Sequence, residues 1–345
     1  MKIALTGATG LVGRSVATRL NDGGHQLTML SRGDAEKLPV PVEPASRHRH
    51  IRGAMDDRAI IEDLCSDCDV VIHAAWHRGE GSYNDPVSDP VDYFRRNVIP
   101  TVDMVHAAAR SGVRRFIFIS SGAVHGRVRD DGPLDESHPM WAGSIYGSAK
   151  GSIETLLHAY GFGGRNVVDP PLESSFIPIT LRPTSIYGLG DPIETSRFFD
   201  LIGRVVRGGD NLDEPFTGGG KYLAAAELAA AIDHLITVDA DRLHALIDSE
   251  RRVTSSDSSK GLTFNCTGGW VDRVQIARMA AEVADRLRPI DGTSRSDRIS
   301  GDRRLDPREM KTTKLTATGF SFRPLEHLQS VVEMLVRHHL RHPHP

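Results

Sequence analysis

Residues 2–24 read "KIALTGATGLVGRSVATRLNDGG", and the turn at 6–13, "TGATGLVG", decides the fold. Four apolar or β-favouring residues end in Thr6 and Gly7. Gly10 and Gly13 follow at spacings of three, and the pattern then takes a helical period until Gly23 and Gly24 stop it. A strand, a glycine turn and a helix in that order bring backbone N–H groups to one point. Small residues let the backbone approach a pyrophosphate, and the helix N-terminus adds partial positive charge. Gly7, Thr9, Gly10, Leu11, Val12 and Gly13 are therefore candidate dinucleotide-binding residues.

Outward from this turn the same alternation repeats. "HQLTMLSR" (25–32) is strand-like, "RAIIEDLCSD" (58–67) helical, and "CDVVIHAAW" (68–76) a buried strand. "NVIPTVDMVHAAARSG" (97–112) is helical and "VRRFIFISSG" (113–122) a strand. "SIYGSAKGSIETLLHAY" (144–160) is helical and "FIPITLRPTSIYG" (176–188) a strand. Strands taking turns with helices predict an α/β fold with a Rossmann-type doubly wound parallel sheet. After about residue 190 the pattern loosens into helices at 196–209, 221–238, 271–287 and 324–340 with short strands, which predicts a smaller mixed α/β C-terminal lobe. The expected division is a nucleotide-binding domain over 1–190 with a return segment at about 223–262, and a substrate-binding lobe over 191–222 and 263–345. Polar, glycine- or proline-rich stretches at 39–50, 78–90, 161–171, 249–261 and 291–302 are expected to be loops.

Composition limits the function classes. The chain has 345 residues, 39% hydrophobic and 25% charged, with a formal net charge of −3. No basic field is present to hold nucleic acid, and no apolar run reaches the length of a membrane span. The N-terminal apolar run breaks into glycines too early for a signal peptide, so a cytoplasmic protein is expected. Three cysteines do not make a disulfide framework. Cys65 and Cys68 form a CxxC, but no second CxxC or histidine pair accompanies it, and no metal site is expected. The tail "VRHHLRHPHP" reads as a solvated helix end.

The end of the second strand bears on the choice of dinucleotide. An acidic side chain there accepts from ribose hydroxyls and repels a 2′-phosphate. Here Ser31 stands in that place and Arg32 follows. Arg32 either pairs a 2′-phosphate, favouring NADP(H) over NAD(H), or is a solvated loop residue. Asp56, in "GAMDD", is a candidate for the adenine amino group. Ala74 and Ala75 are small residues where a cofactor backbone would pass a strand end.

In "SIYGSAKGSIE", Tyr146 and Lys150 lie four apart, on one helix face. Taken alone they are either an acid/base pair or two incidental neighbours. Read together, "TGATGLVG", "IHAAW", "NVIPT", "ISSGAVHG", "YGSAK" and "LRPTSIYG" resemble the extended short-chain dehydrogenase/reductases, the NAD-dependent epimerase/dehydratase family. The resemblance covers about the first 190 residues, with weaker echoes in "FNCTGG" and "REMKTTKLTATGFSFRPLEHL".

The resemblance implies an enzyme in which Ser121, Tyr146 and Lys150 are catalytic. Tyr146 exchanges a proton with the substrate oxygen. Protonated Lys150 lowers the phenol's pKa and bonds the nicotinamide ribose, and Ser121 donates to the oxygen where charge develops. Asn97 either supports Lys150 or caps a helix. The implied cofactor set adds Pro183 and Ser185 to the residues already named, together with Asn97, Tyr146 and Lys150. The implied substrate set is Trp76, His77, Ser121, Gly122, His125, Tyr146, Ser185 and Arg197. Trp76 is either a stacking platform for a sugar ring or core packing. His125 either touches substrate or is packed or solvated, and Arg197 either meets an anion or is solvated.

Departures from the family pattern narrow the expectation. Family dehydratases carry Asp-Glu after the catalytic hydroxyl, where this chain has Gly122 and Ala123. Ser185 replaces an Asn common in nucleotide-sugar enzymes, and Gly220 stands where an Arg usually grips the diphosphate, with Lys221 next. The expected activity is hydride transfer between a nicotinamide and a small sugar-like hydroxy/keto substrate. The alternative is a nucleotide-sugar 4-epimerase with tightly bound NAD; a dehydratase or a non-catalytic scaffold fits less well. A homodimer packed through helices near 101–112 and 145–160 is expected from the resemblance.

Overall fold

The computed structural model describes residues 1–42, 46–79, 83, 85–126, 132–162, 168, 176–250, 261–289, 294–302 and 308–342. Most of the loops expected at 161–171 and 249–261, and parts of those at 39–50, 78–90 and 291–302, lie outside the described residues, as do tail residues 343–345. The strands are β1 (Lys2–Thr6), β2 (Gln26–Ser31), β3 (Arg49–Arg52), β4 (Val70–His73), β5 (Arg115–Ile119), β6 (Ile177–Pro183), β7 (Ser185–Tyr187), β8 (Gly219–Ala224), β9 (Leu262–Cys266) and β10 (Trp270–Asp272). The helices are α1 (Leu11–Asp22), α2 (Arg58–Cys65), α3 (Pro90–Arg110), α4 (Ile145–Phe162), α5 (Phe199–Arg207), α6 (Ala225–Thr237), α7 (Ala240–Glu250), α8 (Arg273–Leu287), α9 (Arg295–Arg298), α10 (Thr313–Ala317) and α11 (Pro324–Arg341).

Seven strands form one parallel sheet in the order β3-β2-β1-β4-β5-β6-β9. The order turns back at β1, with β2 on one side and β4 on the other. In such a sheet ligands bind at the C-terminal strand ends beside that reversal. The central strands are apolar on both faces: β4 is buried throughout and β6 along all seven residues. Helices therefore cover both sides. One face packs Leu64, Met104, Phe116, Ile153 and Leu157 into a continuous core.

Local signals set the helix starts. Asp57 caps α2 by accepting from the N–H groups of Ala59 and Ile60, and Asp89 caps α3 with Pro90 in its first turn. Gly10 is the N-cap of α1 and offers no side chain to its free N–H groups.

The chain divides into two compact units. The first is Met1–Pro183, Leu228–Cys266 and Lys311–Ser321; the second is Thr184–Glu227, Thr267–Met310 and Phe322–Pro345. The sequence reading put the first crossing near 190 and the first return near 223. It did not anticipate the second return at 311–321, which brings α10 against β9. The stretch 176–188, read as one strand, is two: β6 in the first unit and β7 in the second. The second unit has its own three-stranded sheet, β10-β8-β7, and its own core of Phe198, Ile202, Val205, Val274, Ala277, Val332 and Leu335.

Candidate active site

Every cofactor candidate of the first unit outside the helices lies at or beyond the C-terminal end of a parallel strand, or in the turn that follows it. Gly7 follows β1 with φ of +73°. A Cβ on it would stand 2.6 Å from the Ala75 nitrogen and 2.7 Å from the Ala74 carbonyl carbon. The glycine is therefore required both by its left-handed backbone and by the close passage of the β4 exit. A Cβ on Gly13 would collide with the Gly7 backbone. Gly10 differs: the nearest atom to its added Cβ is the Gly7 oxygen at 3.5 Å. Two glycines thus serve the turn itself, and the third leaves the N-terminus of α1 bare. This donor set fits a dinucleotide's pyrophosphate, which Thr9, Leu11 and Val12 would border.

Beneath this turn a buried polar chain fixes the β4 exit. The Ala75 N–H donates to Thr6 Oγ1 at 3.2 Å, and Thr6 Oγ1 lies 2.7 Å from His73 Nδ1. His73 Nε2 lies 3.0 Å from Thr101 Oγ1, which donates to the Asn97 carbonyl at 2.6 Å. Thr101 spends its proton on Asn97, so His73 Nε2 carries a hydrogen and Nδ1 accepts from Thr6. Burial, and then the Lys150 charge, push His73 down to about 3.

Asn97 is not a helix cap, and its side chain is bonded to backbone groups of His77 and Tyr93. It sits mid-way along α3, where its side chain clamps the His77 backbone. Its Oδ1 accepts from the His77 N–H at 2.7 Å, and its Nδ2 donates to the His77 carbonyl at 3.0 Å. This fixes the segment carrying Trp76.

Ser121 follows β5 and accepts from the Ala123 N–H at 3.1 Å. Burial pushes the Tyr146 phenol well above its ordinary value; Ser121 pulls it down, and Tyr83 and Tyr93 push it further up. Aromatic rings crowd it: Tyr83 at 4.9 Å and Trp76 edge-on at 5.9 Å between centroids. Lys150 is buried one turn further along α4. Its Nζ donates to the Ile119 carbonyl at 2.6 Å and lies 3.6 Å from the Trp76 ring centroid. Burial pushes its pKa well down, against the pull of Glu154. The sequence reading had the Lys150 charge lowering the Tyr146 phenol; here Ile119 and Trp76 take up the ammonium.

Ser31 Oγ donates to the Gly33 carbonyl at 3.1 Å and lies 2.9 Å from His50 Nε2. Arg32 and Asp56 are exposed, and Arg52, opposite Ser31 in the β2–β3 register, pairs with Asp34 at 2.8 Å. Pro183 ends β6, and Gly122 opens the short turn after Ser121. His125 is buried, and its Nε2 accepts from Arg182 Nη1 at 3.3 Å. Burial, then Arg182, push it down to about 4. Its ring is committed to the interior. In the second unit Ser185 is exposed at the start of β7, and exposed Arg197 donates to the Ile186 carbonyl at 3.0 Å.

Sequence reasoning missed the ion pair behind this site. Arg182 donates Nε and Nη2 to Glu154 Oε2 at 2.9 and 2.7 Å, and Ser120 donates to Glu154 Oε1. Signals existed: a charge inside the apolar run "ITLRP", and an acid four residues beyond Lys150 on a buried face. Tyr83 carried no periodic signal. Cys65 and Cys68 are free thiols, with burial pushing Cys68 up to about 12. Among the described residues no group of three or more His, Cys, Asp or Glu is placed to hold a metal. Among them too, no helix is long and apolar enough to cross a membrane. Tail residue His339 is buried and bonded to the Phe199 carbonyl rather than solvated.

A parallel sheet in this strand order with a glycine turn after β1 defines a dinucleotide-binding Rossmann fold. Residues 3–244 match the model of the NAD dependent epimerase/dehydratase family, and the chain belongs to that family, whose members are enzymes of the extended short-chain dehydrogenase/reductase type. It is 26% identical over 170 residues to a dTDP-glucose 4,6-dehydratase of Streptomyces niveus, covering 46% of this chain and 49% of the relative. It is 29% identical over 165 residues to a UDP-glucose 4-epimerase of Corynebacterium glutamicum, covering 46% of each. The chain spans about half the length of the curated relatives it matches. Among solved structures, UDP-glucose 4-epimerase of Thermotoga maritima with UDP-glucose superposes with a TM-score of 0.68 at 19% identity over 100% of both chains. The Thermus thermophilus UDP-glucose 4-epimerase complex with NAD gives 0.64 at 21% identity over 98% of each. At these identities the likeness is one of fold.

Proposed function

We propose that this chain is an NAD(P)-dependent oxidoreductase acting on a sugar-like hydroxy/keto substrate through Ser121, Tyr146 and Lys150. The observation that carries this reading is buried Lys150, seated on the Ile119 carbonyl one helical turn beyond Tyr146, with Ser121 just past the end of β5. When bound, the nicotinamide supplies or accepts the hydride. Tyr146 gives or takes the proton at the substrate oxygen, and Ser121 donates to that oxygen. Burial keeps the phenol protonated at neutral pH, which suits donation to a carbonyl being reduced. Trp76, His77 and Gly122 are the proposed substrate contacts in the first unit; Ser185 and Arg197 are those proposed in the second. His125 leaves that set because its ring is buried against Arg182.

The proposed cofactor is NADP(H). Ser31 lacks the negative charge that repels a 2′-phosphate, and Arg32 follows it; Arg52, opposite Ser31, is already paired with Asp34. A second reading, a nucleotide-sugar 4-epimerase retaining NAD, is favoured by the match to UDP-glucose 4-epimerases. Gly122 and Ala123 leave no carboxylate beside Ser121 for dehydration. A homodimer through the helices near 101–112 and 145–160 is proposed with this reading.

Nucleotide released from denatured, freshly purified protein separates the two readings. Retained NAD favours the epimerase. Empty protein that prefers NADPH to NADH favours the dissociating oxidoreductase. Tyr146→Phe is expected to lower turnover by roughly 10²–10⁴-fold without unfolding the protein; unchanged turnover contradicts both.

A further inference from the structure

Lys150 is 4% exposed, and few of its neighbours stabilise a cation. On its own helix Tyr146 lies one turn before it and Glu154 one turn after. The Glu154 carboxylate is already engaged by Arg182 and Ser120. From β5 come the Ile119 carbonyl and the Phe118 ring, whose centroid is 4.6 Å from Nζ. From β4 comes His73, held neutral, and beyond it Trp76. The Trp76 ring centroid is 3.6 Å from Nζ. The negative face of an indole is the strongest aromatic partner for an ammonium, and its attraction grows when water is excluded.

The indole is itself fixed. Its Nε1–H donates to the Tyr93 hydroxyl at 2.8 Å, and Asn97 clamps the backbone of the next residue, His77, on both its N–H and its carbonyl. One face of the indole is spent on Lys150.

We propose that Trp76 is a positioning residue whose indole face keeps the Lys150 ammonium charged and seated beside the Ser121–Tyr146 pair, and so sets the pH range in which that site works. The proposal rests on the reading of Lys150 under Proposed function. It assigns Tyr93 and Asn97 a part at one remove, since they orient the indole.

The test is a pH titration of the Lys150 side chain by NMR, using protein carrying 13Cε-labelled lysine. The chain has seven lysines, and the Lys150 signal is the one lost in Lys150→Arg. Trp76→Leu removes the π face; Trp76→Phe retains a weaker one. The expected result is that Trp76→Leu favours the neutral amine by about tenfold or more in its ionisation constant, with Trp76→Phe intermediate. Tyr93→Phe, which removes only the indole's hydrogen-bond partner, moves it less in the same direction and serves if Trp76→Leu fails to fold. A Trp76→Leu titration matching wild type, or equal shifts in the Leu and Phe variants, overturns the proposal. If Trp76→Leu does not fold, a Tyr93→Phe titration matching wild type does the same. The titration needs no substrate, so its result stands apart from whether Tyr146→Phe removes turnover.

Discussion

Replacing Glu154 by Gln tests the ion pair that ties α4 to β6 beneath the candidate site. The side chains of Arg182 and Glu154 are 4% and 2% exposed. All three nitrogens of the guanidinium are engaged: Nε and Nη2 with Glu154, and Nη1 with His125 and the Glu136 carbonyl. Gln keeps the shape of Glu and one carbonyl oxygen, so packing is preserved and the loss is electrostatic. Arg182 cannot shed its proton, and it would be left charged and buried without its hydrogen-bonded counter-ion, with Glu136 interacting only at longer range. Removing one partner of a buried pair costs about 3–5 kcal/mol. At roughly 2–4 °C per kcal/mol for a larger domain, the melting temperature falls by roughly 6–20 °C. Calorimetry or urea unfolding reads this directly. The companion variant replaces both residues by Met. Because exchanging an entire buried pair for apolar groups is often close to neutral, the double variant should be more stable than Glu154→Gln, with a coupling of about 1–3 kcal/mol. A Gln variant within about 1 kcal/mol of wild type would refute the reasoning, since the charge of Glu154 would then not be compensating Arg182.

Two further predictions concern the turn and the buried histidines. Gly7→Ala should destabilise more than Gly24→Ala: both glycines have positive φ, but only Gly7 has backbone atoms where the Cβ would stand. The Gly24 variant should lose about 1–2 kcal/mol for its left-handed backbone alone, and equal losses in urea unfolding would mean that the Ala74–Ala75 contact is unimportant. His125 and His73 have folded-state values lowered to about 4 and about 3 from 6.5. The unfolded state then binds more protons between these limits, so stability is full above about pH 6.5 and falls as the pH drops towards 4, flattening below the folded values. His125→Asn should flatten the slope of urea midpoint against pH in that window; an unchanged slope removes His125 as a contributor.

The parallel sheet was legible because its central strands are buried on both faces and read as unbroken apolar runs. β3 was not. It is an edge strand with only Ile51 buried, and "RHIR" carries three polar residues that resemble the loop before it. The split of 176–188 into β6 and β7 was hidden because both halves favour extended backbone. At the site, the glycine turn was legible because its spacing is dictated by backbone contact. Trp76, Asn97 and His125 were found by position, but their partners are set by long-range packing: Lys150, the His77 backbone and Arg182. No local pattern encodes which ring faces which charge. Glu154 and Arg182 had a signal of a different kind, ionised groups on surfaces that the periodicity assigns to the core.

The central claim, that the bare N-terminus of α1 holds a dinucleotide, meets its most direct test at Gly10. This N-cap has extended backbone, with φ of −81° and ψ of 166°, and an added Cβ would make only ordinary contact with the Gly7 oxygen at 3.5 Å. Aspartate is a favoured N-cap, so Gly10→Asp should leave the fold intact or a few tenths of a kcal/mol more stable. Its carboxylate would also occupy the N–H groups offered to the pyrophosphate and repel its charge. Titration with NADPH and NADH, followed by nicotinamide fluorescence, is predicted to show binding by wild type and a loss of about 100-fold or more in Gly10→Asp at unchanged melting temperature. Equal binding by the two proteins, or no binding by the wild type, would contradict the account.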